Sequence, residues 1–279
     1  MSASPTGYQI GHSDEEMRRL EFQAGVFRPL TESVLRGAGL RPGMRVLDVG
    51  CGVEDVSLLA AEFVGPSGEV VGIDGAAQPL EWARRRAREQ GLSQARFEHR
   101  DLASLPREHP FDAVVERLVL LHQADPVHFL RQMGEHLRPG GLLICHEMDF
   151  TLPPVSHPPL PLLERTWDWL VRAVRGLDLR ERMGSELTSL LREAGLQVEG
   201  GQCAGVLGVN ADEDTAALKV FSEGIRAVLP AMERMRIARA EDVDIHTLEQ
   251  RLRDEARAAH GMFVPFMMMG VWARRLAST

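Results

Sequence analysis

The chain has 279 residues, a length that suits one α/β domain with additions better than two independent domains. Apolar residues make up 44% and charged residues 26%, which is typical of a folded globular protein. The formal net charge of −8 argues against a nucleic-acid partner, because a phosphate-binding surface needs an excess of basic residues.

The cysteines and the N-terminal segment bear on metal binding and on the compartment. Cys51, Cys145 and Cys203 are too widely spaced for a disulfide framework or a zinc site, so no metal is expected. No apolar run reaches membrane-spanning length, and the first residues lack the apolar core of a signal peptide. These features predict a cytoplasmic protein with no membrane partner. They are compatible with a homodimer.

The first predicted element is a helix close to the N-terminus. Ser13 and Glu16 form a capping box, and apolar residues follow at helical spacing over Met17–Phe27. Pro29 is expected to break or kink this run before a second helical stretch, Leu30–Ala38.

Strand and helix patterns then alternate, and the strands are continuous apolar runs. Such runs are typical of a parallel sheet with helices on both faces. The predicted strands are Arg45–Val49, Val70–Asp74, Ala95–His99, Ala113–Arg117 and Leu142–Glu147. The helices between them are Asp55–Phe63, Gln78–Gln90 and Pro126–Leu137. This order predicts a doubly wound, Rossmann-like α/β fold.

The pattern changes after Asp149. A proline-rich stretch leads into two further helices, Leu162–Arg175 and Glu181–Ala194, and these are followed by a strand at Leu196–Leu207. A mostly helical insertion, Asp212–Ala259, precedes a final strand at Met262–Ala273. We therefore divide a single domain, 1–279, into an N-terminal helical segment (1–39), a core (40–150) and a substrate-side part (151–279).

The strongest motif is a glycine turn, VLDVGCG, between the first strand and the next helix. Gly50 and Gly52 let the backbone approach a ligand closely, and Cys51 needs only to be small. Asp74 ends the second strand, where a carboxylate can hold ribose hydroxyls, although it could instead cap the helix at Gln78. All these residues lie at the carboxyl edge of the sheet, where ligands of such folds bind.

Asp101 follows the third strand, where a carboxylate can accept a hydrogen bond from an adenine amino group. Arg100 and Arg107 are alternative partners for it. A dinucleotide fold would place a third glycine at position 55, and Asp55 stands there instead.

These motifs resemble the class I S-adenosylmethionine-dependent methyltransferases. The matching segments, in chain order, are VLDVGCG, VVGID, HRDL, FDAVV and LRPGGLLI. The resemblance implies a seven-stranded sheet whose last strand is antiparallel, and S-adenosylmethionine as the cofactor. Segments near both ends, such as YQIGHSDEEMRRLEFQA and RLVLLHQADP, resemble a bacterial group of small-molecule methyltransferases.

The resemblance also implies roles for individual residues. Tyr8, with the first helix and Gln23, would fold over the cofactor as a lid; Asp48, Gly50 and Gly52 would hold its methionyl part. Asp74 would hold the ribose and Asp101 with Leu102 the adenine, while the Glu116 backbone would face the amino group. We also count Cys51 and Gly75 in this site. The chain departs from the family pattern at Glu54, Glu116 and His122.

Candidates for accepting a proton gather at the carboxyl ends of the fourth and fifth strands. They are His122 and either His146 or Glu147, because alternation along a strand sends the last two to opposite faces. Glu147 is expected either to face the substrate or to pair with Arg117, which we include among the catalytic candidates. His122 has the better intrinsic pKa for the task.

The acidic composition and the helical insertion favour a small, largely apolar methyl acceptor, such as an aromatic or heteroaromatic natural-product intermediate. Several apolar residues are candidates for lining the acceptor's pocket, although core packing is the better interpretation for any single one of them. They are Trp167, Trp169, Phe263, Phe266, Met267, Met268 and Met269. A protein that binds the cofactor without catalysis is the alternative function. A nicotinamide-dependent oxidoreductase is disfavoured by Asp55.

Overall fold

The N-terminal helix is longer than the sequence predicts. The computed structural model describes residues 14–53, 55–209 and 216–276, and its first element is α1, Asp14–Ala38. The helix continues through Pro29, so the predicted break is wrong. Its buried side chains, including Phe27 and Leu35, anchor it on both sides of the proline, and this packing offsets the lost backbone hydrogen bond.

The central element is a seven-stranded sheet with the order β3-β2-β1-β4-β5-β9-β7. Its strands are β1 (Arg45–Val49), β2 (Glu69–Asp74), β3 (Ala95–His99), β4 (Phe111–Arg117), β5 (Leu137–Met148), β7 (Leu196–Gly205) and β9 (Met267–Arg275). The first five are parallel, and the last strand is antiparallel, as expected. The predicted doubly wound fold is confirmed.

Helices make up most of the remaining chain. They are α2 (Asp55–Val64), α3 (Ala77–Glu89), α4 (Pro126–Glu135), α5 (Pro161–Gly176), α6 (Met183–Glu193), α7 (Ala216–Arg234), α8 (Ala240–Val243) and α9 (Ile245–Ala259). The last three form the predicted insertion. Among the helices of the described residues, none is long and apolar enough to cross a bilayer.

The predicted final strand, Met262–Ala273, is two strands. β8 (Met262–Val264) pairs antiparallel with β6 (Val155–His157), a short strand in the proline-rich stretch that the sequence did not predict. Pro265, which has no amide hydrogen to donate to a ladder, lies between β8 and β9. The interruption lets the two parts join different sheets.

The chain forms two compact units. The first contains residues up to 147, 183–202 and 269 onward, and it holds the sheet core; the second contains 148–182 and 203–268. Within the second unit, Trp167 stacks between Phe150 and Phe221, with ring centroids 6.1 and 6.2 Å away. Trp167, Phe263, Phe266 and Met268 are buried, whereas Met267 and Met269 are half-buried, so the MMM run does contribute at least one core side chain.

Candidate active site

The glycine turn after β1 has the geometry that its sequence predicts. Gly50 and Gly52 have positive φ angles of 69° and 53°, which side-chain-bearing residues rarely adopt. The amides of Gly50 and Cys51 both donate to the Ile73 carbonyl, at 2.9 and 3.0 Å. A Cβ at Gly50 would lie 2.6 Å from Val119 Cγ2, so this position has no room for a side chain.

Asp74 connects the glycine turn to the start of α3. Its carboxylate accepts from the Gly52 amide at 2.9 Å and from the Ala76 amide at 2.8 Å. The alternative role of Asp74 was to cap the helix that follows. The N-cap of α3 is Ala76, which has no side-chain cap bond, so Asp74 lies two residues before the cap and binds only the Ala76 amide there. A carboxylate has about four acceptor positions, so two amides leave capacity for ribose hydroxyls.

The predicted adenine residues lie next to Asp74. Leu102 is buried at the start of a short 3₁₀ helix, Leu102–Ser104, and Asp101 is exposed just before it. A Cβ at Gly75 would lie 3.4 Å from Asp101 Oδ1, which places the ends of β2 and β3 side by side. The alternative partners are engaged elsewhere: Arg100 pairs with Glu98 and Arg107 with Glu135.

Asp48 lies beneath the turn, on β1. It is buried, and Ser57 Oγ donates to its Oδ2 at 2.5 Å. Burial raises the pKa of Asp48 to about 7, against the lowering effects of Ser57 and Arg117. This side chain is therefore packed into the core, and a contact with the cofactor would fall to its neighbouring backbone.

Arg117 lies in a network on one face of the sheet. Its Nη1 donates to Asp55 Oδ2 at 2.9 Å and to Thr31 Oγ1 at 3.0 Å, and Thr31 Oγ1 lies 3.3 Å from His146 Nδ1. Burial, together with the positive charge of Arg117, lowers the pKa of His146 to about 3, so the imidazole is neutral. The network ties α1, α2, β4 and β5 together.

Glu116 and Glu147 lie on the opposite face. Glu116 is paired with Cys145 in the β4–β5 register, and Glu147 follows Cys145 by two residues, so both glutamates point to the same side. Both are fully buried. The expected alternative, a salt bridge between Glu147 and Arg117, is wrong, because Arg117 lies with His146 on the other face and pairs with Asp55.

His122 ends a 3₁₀ helix, Leu120–His122, directly after β4, and is half-buried. Burial lowers its pKa from the usual 6.5, so the ring is neutral near pH 7 and can accept a proton. On α1, Gln23 accepts a hydrogen bond from Arg19 at 3.0 Å. Tyr8, Ser13 and Glu54 lie outside the described residues.

Four residues of this region were not identified from the sequence: Thr31, Asp55, Leu118 and Val119. In the sequence, Asp55 indicates only that the third glycine of a dinucleotide fold is absent. Its ion pair could not be predicted, because its partner Arg117 lies 62 positions away. Leu118 has a positive φ of 58°, rare for a branched side chain and indicative of a strained loop. No local pattern signals either feature.

The fold and this edge define an α/β protein with a nucleoside-type cofactor site. A family model described as a methyltransferase domain matches residues 40–195, which is more than half of the chain. The chain therefore belongs to the methyltransferase domain family. The predicted class, S-adenosylmethionine-dependent class I methyltransferases, is confirmed, and S-adenosylmethionine is the cofactor of that class.

Individual relatives agree with this assignment. A demethylmenaquinone methyltransferase of Bacillus cytotoxicus is 35% identical over 117 residues, 42% of this chain and 49% of the relative. The chain thus spans about half the length of the curated relatives it matches.

Two solved structures share the fold at low identity. One is a SAM-dependent methyltransferase from Aquifex aeolicus, with a TM-score of 0.55, 16% identity and coverage of 95% of this chain and 100% of that one. The other is geranyl diphosphate methyltransferase in complex with SAM, with a TM-score of 0.55, 16% identity and coverage of 98% and 94%.

Proposed function

We propose that this chain binds S-adenosylmethionine at the carboxyl edge of β1, β2 and β4 and transfers its methyl group to a small, largely apolar acceptor. The observation that carries the proposal is the Asp74 carboxylate, held by the Gly52 and Ala76 amides beside a glycine turn in which Gly50 has no room for a side chain. This is where a class I methyltransferase places the ribose of its cofactor.

Each residue has a defined task in this proposal. Asp74 accepts from the ribose hydroxyls, Asp101 from the adenine amino group, and buried Leu102 contacts the adenine ring. The backbone at Gly50, Cys51, Gly52 and Gly75 surrounds the cofactor, with Asp48 supporting the turn from below. The Glu116 backbone faces the amino group of the cofactor, and α1 with Gln23 closes over the site, as the resemblance implies; Tyr8, which has the same implied role, lies outside the described residues. When bound, the cofactor supplies an electrophilic methyl group.

Methyl transfer is an in-line displacement, so the protein has to align the acceptor, exclude water and remove any acidic proton. His122 is the proposed proton acceptor, because its neutral imidazole follows β4 at the edge where the cofactor binds. Arg117, Glu147 and His146 are the other candidates. The bonds of Arg117 to Asp55 and of Glu147 to the Leu120 amide favour supporting roles for them. Burial and the charge of Arg117 lower the pKa of His146 to about 3, which makes it a poor proton acceptor.

For the acceptor we propose an aromatic or heteroaromatic intermediate of a natural-product pathway. The matched relatives are named demethylmenaquinone methyltransferases, so a quinone acceptor belongs in any test panel. A cytoplasmic location, the absence of a nucleic-acid partner and a homodimer remain predictions.

Two measurements test the proposed function. By calorimetry, S-adenosylhomocysteine should bind and NAD should not. Incubation with methyl-labelled S-adenosylmethionine and a panel of quinones, phenols and indoles should then give labelled product. Binding without turnover on any acceptor would favour the alternative function, a non-catalytic cofactor-binding protein, and absence of binding would overturn the proposal.

Asp74→Ala is expected to weaken S-adenosylhomocysteine binding about tenfold to a hundredfold. Loss of charge-assisted hydrogen bonds to the ribose would cost roughly 1.5–3 kcal/mol. Calorimetry measures the affinity, and circular dichroism checks that the fold is retained. Glu81→Ala, an exposed carboxylate on α3, is the matched control. Unchanged affinity in Asp74→Ala would show that the carboxylate only fixes the turn.

A further inference from the structure

Three consecutive backbone amides after β4 are all bound by β4 or β5. The Leu118 amide donates to the His146 carbonyl at 3.1 Å, the Val119 amide to Glu116 Oε2 at 3.2 Å, and the Leu120 amide to Glu147 Oε1 at 2.7 Å. The loop Leu118–Leu120 is thus held mainly by two buried carboxyl groups. Such a hold is needed, because Leu118 has the strained positive φ.

The same loop forms one wall of the glycine turn. Val119 Cγ2 lies so close to Gly50 that a Cβ there would be 2.6 Å away. A displacement of Val119 would therefore change the space at the turn that receives the cofactor. The position of the loop depends on Glu116 and Glu147.

The two carboxyl groups leave one oxygen each without a hydrogen-bond donor. Glu116 Oε1 and Glu147 Oε2 are buried and have no protein partner. Two ionised carboxylates side by side in the interior would repel each other, and each would also pay the cost of desolvation. A single proton between the free oxygens would satisfy both of them.

We propose that Glu116 and Glu147 share one proton and, as that pair, hold the loop Leu118–Leu120 against the glycine turn, which makes them positioning residues of the cofactor site. The inference deepens the proposed function, because the turn is the site proposed for S-adenosylmethionine. It assigns Glu116 and Glu147 the common task of holding the loop. Glu116 is one of the residues at which the chain departs from the family pattern.

The pair gives the loop a dependence on pH. Burial raises the pKa of Glu116 to about 7, and burial together with the charge of Glu116 raises that of Glu147 well above its usual 4.5. Among the described residues of β4 and β5, the titratable neighbour on this face is the Cys145 thiol, whose own pKa is raised by burial and by both glutamates, so it remains neutral. Arg117 and His146 lie on the other face of the sheet.

The direction of the pH dependence follows from the raised pKa values of the two glutamates. The folded protein binds the shared proton more tightly than the unfolded chain, so the pair's contribution is fully present below the ordinary glutamate pKa. It is lost as pH rises through the raised values, around 7 for Glu116. The loop should therefore loosen at alkaline pH.

The test compares wild type with Glu147→Gln, Glu116→Gln and Glu147→Ala. The amide introduced by Glu147→Gln can accept from Leu120 and donate to Glu116 Oε1, which reproduces the hydrogen bonding of the singly protonated pair without the shared proton. Glu116→Gln works in the same way from the other side. Glu89→Gln, on the exposed side of α3, is the matched control.

Two quantities are measured between about pH 6 and about pH 9: the unfolding equilibrium in denaturant, without cofactor, and the affinity for S-adenosylhomocysteine. In wild type and Glu89→Gln, we expect affinity to fall about tenfold over this range, which corresponds to one pK unit of linkage. The two Gln variants should lack this fall and the matching slope in the unfolding equilibrium. Glu147→Ala should weaken affinity at least about tenfold even at the acid end, because the Leu120 amide loses its acceptor.

The proposal would be overturned if Glu147→Gln kept the wild-type pH slope, or if it lost as much affinity as Glu147→Ala. The unfolding measurement does not involve the cofactor. A protein that bound no S-adenosylhomocysteine would therefore refute the proposed function, while its unfolding profiles would still decide whether the pair shares a proton.

Discussion

His122→Ala is expected to lower turnover by a factor of at least ~10², with cofactor affinity nearly unchanged, because a general base contributes ~10²–10⁴ in rate. Burial keeps the imidazole neutral by lowering its pKa. Wild-type turnover should accordingly decline only on the acid side of the usual histidine range, where the ring becomes charged and can no longer accept a proton. Single-turnover rates with labelled cofactor measure the effect, and calorimetry checks binding.

His128→Ala is the matched control for this prediction. His128 lies on α4 close to His122 in sequence, and it is exposed. If His122→Ala kept near-normal turnover, with an unchanged pH profile, the enzyme would work by positioning alone. That outcome would fit a carbon acceptor such as an indole, which attacks the methyl group before it loses its proton.

The core of the fold could be predicted from the sequence because it depends on local pattern. The predicted bounds of β1 and β3 match the structure, and the other parallel strands are right in position but short at one or both ends. Buried parallel strands are continuous apolar runs, and the glycines and Asp74 at their ends have fixed spacing. The site's location follows from topology, since the carboxyl ends of the central strands meet at one edge.

The partners of individual side chains could not be predicted, because they depend on residues far apart in the sequence. The pairing of Glu147 with Arg117 is one example, because Glu147 instead binds the Leu120 amide next to Glu116. Alternation did predict that His146 and Glu147 face opposite sides, and this is confirmed by the register. The continuation of α1 through Pro29 could not be predicted for the same reason. The cost of the proline to the helix is offset by packing against residues that are distant in the sequence.

Removing one partner of the Arg117–Asp55 pair is expected to destabilise the protein by about 3–5 kcal/mol, because the remaining charge is buried without compensation. Only 11% of the Arg117 side chain and 5% of Asp55 are exposed. Arg117→Met keeps most of the apolar volume but leaves Asp55 unpaired. It also removes the hydrogen bond that Arg117 donates to Thr31 Oγ1, which links the pair to α1. The free energy of unfolding in denaturant measures the loss.

The double variant Asp55→Ala/Arg117→Met separates charge burial from packing. It should lose clearly less stability than the sum of the single variants, because neither charge is then left alone. Arg172→Met is the matched control, since its exposed ion pair with Asp168 on α5 should contribute about 0.3–0.5 kcal/mol. Suppose instead that Arg117→Met cost no more than the control but abolished turnover. Arg117 would then act on the substrate, as the sequence alone suggested, and its bond to Asp55 would only orient it.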